Sequence, residues 1–214
     1  MEKRNKRILM SILGVVIGGI SVGFFKRASF GVDPFQTLMS GLDSLIPISF
    51  GTLYVIVNVC LLLFSLINDK SRIGLATLIN LFFLGYIADF SHKLLSKLFP
   101  ELGLPGRILM LLFGIVVICL ASSFYFTANL GVSTYDAVAL IISENWKLIP
   151  FRFCRILTDL TCVFLGVVLF LCSGHPKTEL GGIIGAGTII TAFFMGPLID
   201  AFNRHVAKPF LESE

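Results

Sequence analysis

Charge is what this sequence has least of: 14% of its residues are Asp, Glu, Lys or Arg and 56% are apolar, against roughly 25% charged in a soluble domain. A chain so poor in charge cannot cover itself with polar surface, which excludes an ordinary water-soluble fold. Histidine is scarce as well. His92, His175 and His205 stand apart, with no H-E-x-x-H, no G-x-S-x-G and no P-loop lysine anywhere, so no spacing points to a metal, a serine nucleophile or a nucleotide. Cys60, Cys119, Cys154, Cys162 and Cys172 form no C-x-x-C pair; they specify neither a metal site nor a disulfide frame and read as small apolar fillers. The expectation is therefore no catalytic residue, no cofactor and no metal: not an enzyme. The one acid–base couple to weigh is Asp33 with Asp136, since like charges brought close separate their pKa values, but nothing in the spacing brings the two together.

What is present is apolar length. Residues 8–25, 49–68, 73–88, 108–128, 156–171 and 180–199 are charge-poor runs, most of them near the roughly 20 residues with which a helix crosses a bilayer. They predict an all-α, polytopic integral membrane protein with at least six long transmembrane helices. The net charge of +4 comes from Lys and Arg gathered in the connections, where cytoplasmic loops collect them, and needs no nucleic-acid partner. Residues 1–7 open with bases as a secretory leader does, but no A-x-A pattern follows, so the first run reads as a span.

The chain also matches itself. Arg7-Ile8-Leu9-Met10 returns as Arg107-Ile108-Leu109-Met110, and at the same offset Gly14 meets Gly114, Phe24 meets Phe124 and Gly31-Val32 meets Gly131-Val132. Later, Ile73-Gly74-x-x-Thr77 matches Ile184-Gly185-x-x-Thr188, and Phe82-Phe83-x-Gly85-x-x-x-Asp89 matches Phe193-Phe194-x-Gly196-x-x-x-Asp200. Two sequence-related repeats are expected, residues 1–99 and 107–214, joined across 100–106 by two prolines and two glycines that break helix.

In each half the first run ends near a glycine and a short polar helix follows. Asp33-Pro34 is a start signal, Asp as N-cap and Pro in the first turn, and Ser133-Thr134-Tyr135-Asp136 reads as a capping box. Running to about Ile46 or Trp146, each is about 21 Å long, short of a hydrocarbon core of about 30 Å. Two topologies follow. Re-entrant half-helices give three spans per half and inverted halves; crossing ones give four spans per half (4+4) and parallel halves. Counting bases puts ten inside against six outside in the first case and eleven against five in the second, so both keep the positive charge and the N-terminus in the cytoplasm.

Half-helix N-termini at membrane depth gather unpaired N–H groups and the positive end of the helix dipole, which suits an anionic group of a solute, and transporters place substrate at broken helices between repeats. The expected substrate-binding set is Gly31, Asp33, Gly131, Ser133, Thr134, Asp136, Arg155 and Asp159. Gly31 and Gly131 allow close backbone approach, the capping residues face the same place, and Arg155 with Asp159 one turn on are ionisable groups inside an apolar run. The structural alternatives are ordinary helix capping and an Arg155–Asp159 ion pair that snorkels with Arg152 toward the headgroups. Asp89/Lys93 and Asp200/Arg204 stand in acid-first helical spacing and read as interfacial anchors. Asn58, Asn80, Thr77, Thr188 and Thr191 read as interhelical hydrogen-bonding groups, and Gly14-x-x-x-Gly18 and Gly181-x-x-x-Gly185 as close packing.

Gly31-Val32-Asp33-Pro34, Phe50-Gly51-Thr52, Ile73-Gly74-x-x-Thr77, Arg155 with an acid four residues on, Gly185-x-Gly187-Thr188 and Gly196-Pro197 come in that order, and in this the chain resembles the YczE-like family of bacterial membrane proteins over nearly its whole length. The resemblance implies a multi-pass protein of the bacterial cytoplasmic membrane with a transport role. Three readings compete: a small-solute transporter with its site between the halves, driven by an ion gradient or a partner because no ATP site is present; a membrane substrate-binding subunit that hands its solute to a partner subunit; and a regulatory scaffold with every polar group paired. The partners expected are the lipid bilayer, a small-molecule solute and a second membrane subunit or copy.

Overall fold

A computed structural model describes residues 3–212; the side chains of residues 151, 152, 193, 194 and 196 lie outside the described set, and with them the Phe193-Phe194 match, Gly196 and the role foreseen for Arg152. The order is α1 (Lys3–Ala28), α2 (Pro34–Asp43), α3 (Phe50–Asn68), α4 (Leu75–Leu98), α5 (Leu104–Ala128), α6 (Thr134–Leu140), α7 (Phe151–Cys172), α8 (Ala186–Phe202) and α9 (Lys208–Glu212), with no strand among the described residues. Five helices are long and apolar enough to cross a membrane, or six if the bent pair Lys177–Ala192 and Pro197–Glu212, which meet at 57°, is one span. The chain is a multi-pass membrane protein. Its outer surface agrees: Leu157, Leu160 and Phe164 on α7 are exposed, as is Ile67 on α3, the opposite of what water would select.

Helix directions follow from which residues touch. On α1, Gly19 lies against Ile87 and Gly23 against Ser91, so α1 and α4 advance together. Gly14 lies against Tyr125 while Gly114 lies against Phe24 and Phe25, so α5 runs the other way. The glycines are what let α1 sit between them, because a Cβ at Gly19 would come 2.7 Å from the Ile87 side chain. Gly181, by contrast, has open space around it. The predicted close packing fails there because residues 177–182 form a 3-10 turn rather than helix and present no small-residue ridge.

Arg27 at the end of α1 donates to the carbonyl of Phe99 beyond the end of α4, at 2.9 Å from Nε, and Arg107 at the start of α5 donates to Ala28 O at 2.8 Å. Lys26 Nζ lies 3.1 Å from the ring centre of Phe50, which opens α3. The segment between α1 and α3 therefore leaves and returns on one face, here the distal one. At the proximal face, which holds the N-terminus, Phe64 near the end of α3 meets Trp146 at 5.8 Å and Asn145 donates to Asp69 at 3.1 Å. The segment around α6 enters from there and returns there. Each short segment thus leaves and returns on one face of the molecule, that of α2 on the distal face and that of α6 on the proximal one.

Both short helices end sooner than predicted, α2 at Asp43 and α6 at Leu140, where a π-turn over Ile141–Asn145 takes over. Ten residues give α2 a length of about 15 Å. Each packs across the division of the chain, α2 on α7 and α6 on α3. The peptides before them do the same with matched bonds: Val32 N–H donates to Ile183 O at 3.3 Å and Val132 N–H to Arg72 O at 3.1 Å, while Gly187 N–H donates to Phe30 O at 2.7 Å and Ala76 N–H to Leu130 O at 2.9 Å.

A cavity between two opposed half-helices

The loops that place the site turn at Gly31 (φ 89°) and Gly131 (φ 105°), conformations that a side chain disfavours. Crowding adds to this, since a Cβ at Gly131 would lie 2.5 Å from Gly74 N and 2.6 Å from Thr77 Oγ1. Thr77 itself closes a cap that sequence reading did not assign: its Oγ1 accepts from Gly74 N–H at 3.1 Å and donates to Val132 O at 2.6 Å. Thr188 repeats the first bond with Gly185 at 3.3 Å. Gly31 and Gly131 thus shape the crossing of the loops and are absent from the cavity wall.

Asp33 is the N-cap of α2 as predicted, its Oδ1 accepting from Gln36 N–H at 3.2 Å. Ser133 caps α6, accepting from Asp136 N–H at 3.0 Å, but the predicted capping box is only half made. Asp136 takes the Ser133 hydroxyl, at 2.7 Å, in place of the Ser133 backbone N–H, because its other oxygen is turned to Arg155. Thr134 is buried and donates to Asn58 of α3; it bolts α6 to its neighbour and does not reach the cavity.

The two N-termini point into one cavity of about 510 Å³, lined by Asp33, Gln36, Ser133, Asp136, Arg155 and Asp159 on one side and by Val22, Phe25, Leu84, Ile118, Phe126 and Met195 on the other. Arg155 pairs with Asp136 and, at 3.4 Å, with Asp159. Its guanidinium also lies 4.5 Å from the ring centre of Tyr135, whose hydroxyl donates to Asp159 at 2.6 Å. Tyr135 stacks on Phe35 with ring centres 4.9 Å apart, so the first turns of the two half-helices touch. Of the eight predicted residues, five gather here. Tyr135, Gln36 and Tyr54 were missed; Gln36 could have been found at the same offset of 100 residues that paired Gly31 with Gly131, since it leads to Asp136.

A larger hollow of about 1010 Å³ opens at the distal face among Lys26, Asp43, Asp89, Lys93 and Arg107. It lies among the exposed ends of the helices and holds none of the predicted substrate-binding residues. There and at the far end of α8, the anchors Asp89–Lys93 (2.9 Å) and Asp200–Arg204 (2.6 Å) form as predicted. The cysteines are unpaired thiols, and among the described residues no group of His, Cys, Asp and Glu is placed to hold a metal.

A family model described as a family of unknown function, DUF6198, matches residues 5–204. The chain belongs to the DUF6198 family. Its relatives include an uncharacterized protein of Haemophilus influenzae, 23% identical over 203 residues, with 95% of this chain and 86% of the relative covered. YyaS of Bacillus subtilis is 26% identical over 200 residues, covering 93% of each chain. YczE of the same organism, described as an uncharacterized membrane protein, is 25% identical over 183 residues, with 85% and 77% covered. This DUF6198 member is thus YczE-like, as its motifs predict. No solved structure matches the chain.

Proposed function

We propose that this DUF6198 protein is a small-solute transporter of the bacterial cytoplasmic membrane, formed of two inverted repeats, with its solute site in the cavity between them. The observation that carries the reading is the meeting of two half-helices, one entering from each face, at a single cavity with four ionisable side chains. Ionisable groups at membrane depth are expensive unless they pair or meet water, and by default they mark a solute or ion path. Opposed broken helices at a repeat interface are a recurrent transporter design, because each N-terminus brings polar backbone to the midplane without a lipid-exposed edge. The cross-chain bonds of Val32 and Val132, and of Gly187 and Ala76, support the repeat: each is made twice, between equivalent peptides. The N-terminus and the ends of α3 and α5 face the cytoplasm in this reading.

Access decides it. With a cysteine introduced at Ser122, which lines the cavity, in a cysteine-free background, an impermeant thiol reagent is expected to reach the site from both faces in oriented vesicles. Reaction from one face only overturns transport in favour of a substrate-capturing subunit. Reaction from neither overturns both.

A further inference from the structure

Within that reading of the cavity as the solute site, we infer that the solute is a small organic cation, a protonated amine on an apolar body. The charges do not balance. Three carboxylates, Asp33, Asp136 and Asp159, face the cavity with one guanidinium, and Arg155 is already divided between Asp136 and Asp159. Asp33 makes no ion pair among the described residues, and its carboxylate is held only by backbone N–H groups of its own first turn, those of Gln36 and Phe35. The positive ends of the two half-helices, which alone would favour an anion, are already taken by Asp33 and by Ser133 with Asp136.

A second observation points the same way. Gln36 lines the cavity, is only 4% exposed, and its carboxamide oxygen has no hydrogen-bond partner among the described residues. A buried acceptor left unmade is costly, and what it lacks is a donor. An ammonium group carries up to three N–H donors and a positive charge, which answers both the free acceptor and the unpaired carboxylate one turn before it. Tyr54 and Phe35 nearby offer aromatic surface to a cation, and the apolar wall of Val22, Phe25 and Leu84 suits the rest of the solute.

The test uses charged thiol reagents on the Ser122→Cys variant: trimethylammonioethyl, sulfonatoethyl and neutral hydroxyethyl methanethiosulfonates, each normalised to its rate with a free thiol. The cationic reagent is expected to react roughly tenfold faster than the anionic one. Asp33→Asn should lower that ratio about fivefold, while Asp43→Asn, at the distal hollow, leaves it unchanged. Reaction of the neutral reagent without a cation preference overturns the charge inference alone. Failure of the neutral reagent to react overturns the solute site itself. On the unmodified chain, butylammonium should raise the melting temperature more than 1-butanol or butyrate, and Gln36→Met or Asp33→Asn should remove the difference. Equal or greater protection by butyrate, or no protection by butylammonium, overturns the proposal.

Discussion

The two helices that meet α6, α3 on one side and α7 on the other, are built on one plan and hold opposite chemistry. α3 and α7 begin 101 residues apart, at Phe50 and Phe151; at that offset Tyr54 stands where Arg155 does and Asn58 where Asp159 does. On the α3 side the two matched positions are neutral and paired: Tyr54 donates to Asn80 at 3.2 Å, and Asn58 bonds Thr134 and, at 2.8 Å, the Tyr54 carbonyl. On the α7 side the same positions carry a guanidinium and a carboxylate that reach across to Asp136 and Tyr135. One seam is a closed hydrogen-bond network, which stiffens a fold. The other holds ionisable groups beside a cavity, which a membrane interior tolerates only for a use. The backbone frame is thus common to both, and the function is carried by one.

Breaking the common frame gives the largest effect. Ala at Gly131 or Gly31 combines a disfavoured φ with a Cβ pressed on the opposite loop, so each is expected to cost about 3 kcal/mol. Loss of a monodisperse peak and a lowered melting temperature would show it. Equal losses at the two glycines would sharpen the comparison, and tolerance of either would break it.

Breaking only the charged seam comes next. Arg155→Ala leaves Asp136 and Asp159 facing each other without a cation, a cost of roughly 2 kcal/mol once their partial exposure to water is allowed for. Arg155→Lys should recover part of that, because it restores the charge without the planar fork. The neutral seam should respond less. Thr134→Val removes one hydrogen bond to Asn58, about 1 kcal/mol, and should leave reagent selectivity at Ser122→Cys untouched. A change in selectivity from Thr134→Val would show that the two seams are not separable.

How much of this was legible in the sequence divides along the same line. Spans, the Asp33-Pro34 start and the anchors at Asp89 and Asp200 depend on neighbours within one turn, and local composition specifies those. Even there, Leu140 was passed over as an end because the π-turn over Ile141–Asn145 continues a helical winding with no Gly or Pro to stop it. The directions of α4 and α5 along α1 were hidden because base counts weigh loops, while direction is set by which glycine faces which side chain across α1. Arg155 with Asp159 followed from i, i+4 spacing; Arg155 with Asp136 did not, since nineteen residues separate them and only the packing of α6 and α7 brings them together. Gln36 carries no local signal, as an amide in the first turn of a helix is unremarkable; in the sequence only its match to Asp136 across 100 residues singles it out.

The smallest expected effect lies at the proximal end of the neutral seam, where Asp69 accepts from Ser71, Asn145 and Arg72, and Arg72 also pairs with Glu144. The Ser71 hydroxyl and N–H, followed by the Asn145 amide, hold the Asp69 carboxyl well below the usual carboxylate range. A depressed carboxyl stabilises the fold at any pH above its unfolded value, about 3.9, and loses that contribution as pH falls toward the folded one. The melting-temperature deficit of Asp69→Asn should therefore be constant from about pH 7 to pH 5 and shrink only below about pH 4. If the deficit already fades near neutral pH, Asp69 is not held by these donors, and the neutral seam is not fastened at the proximal face in the way its paired interior implies.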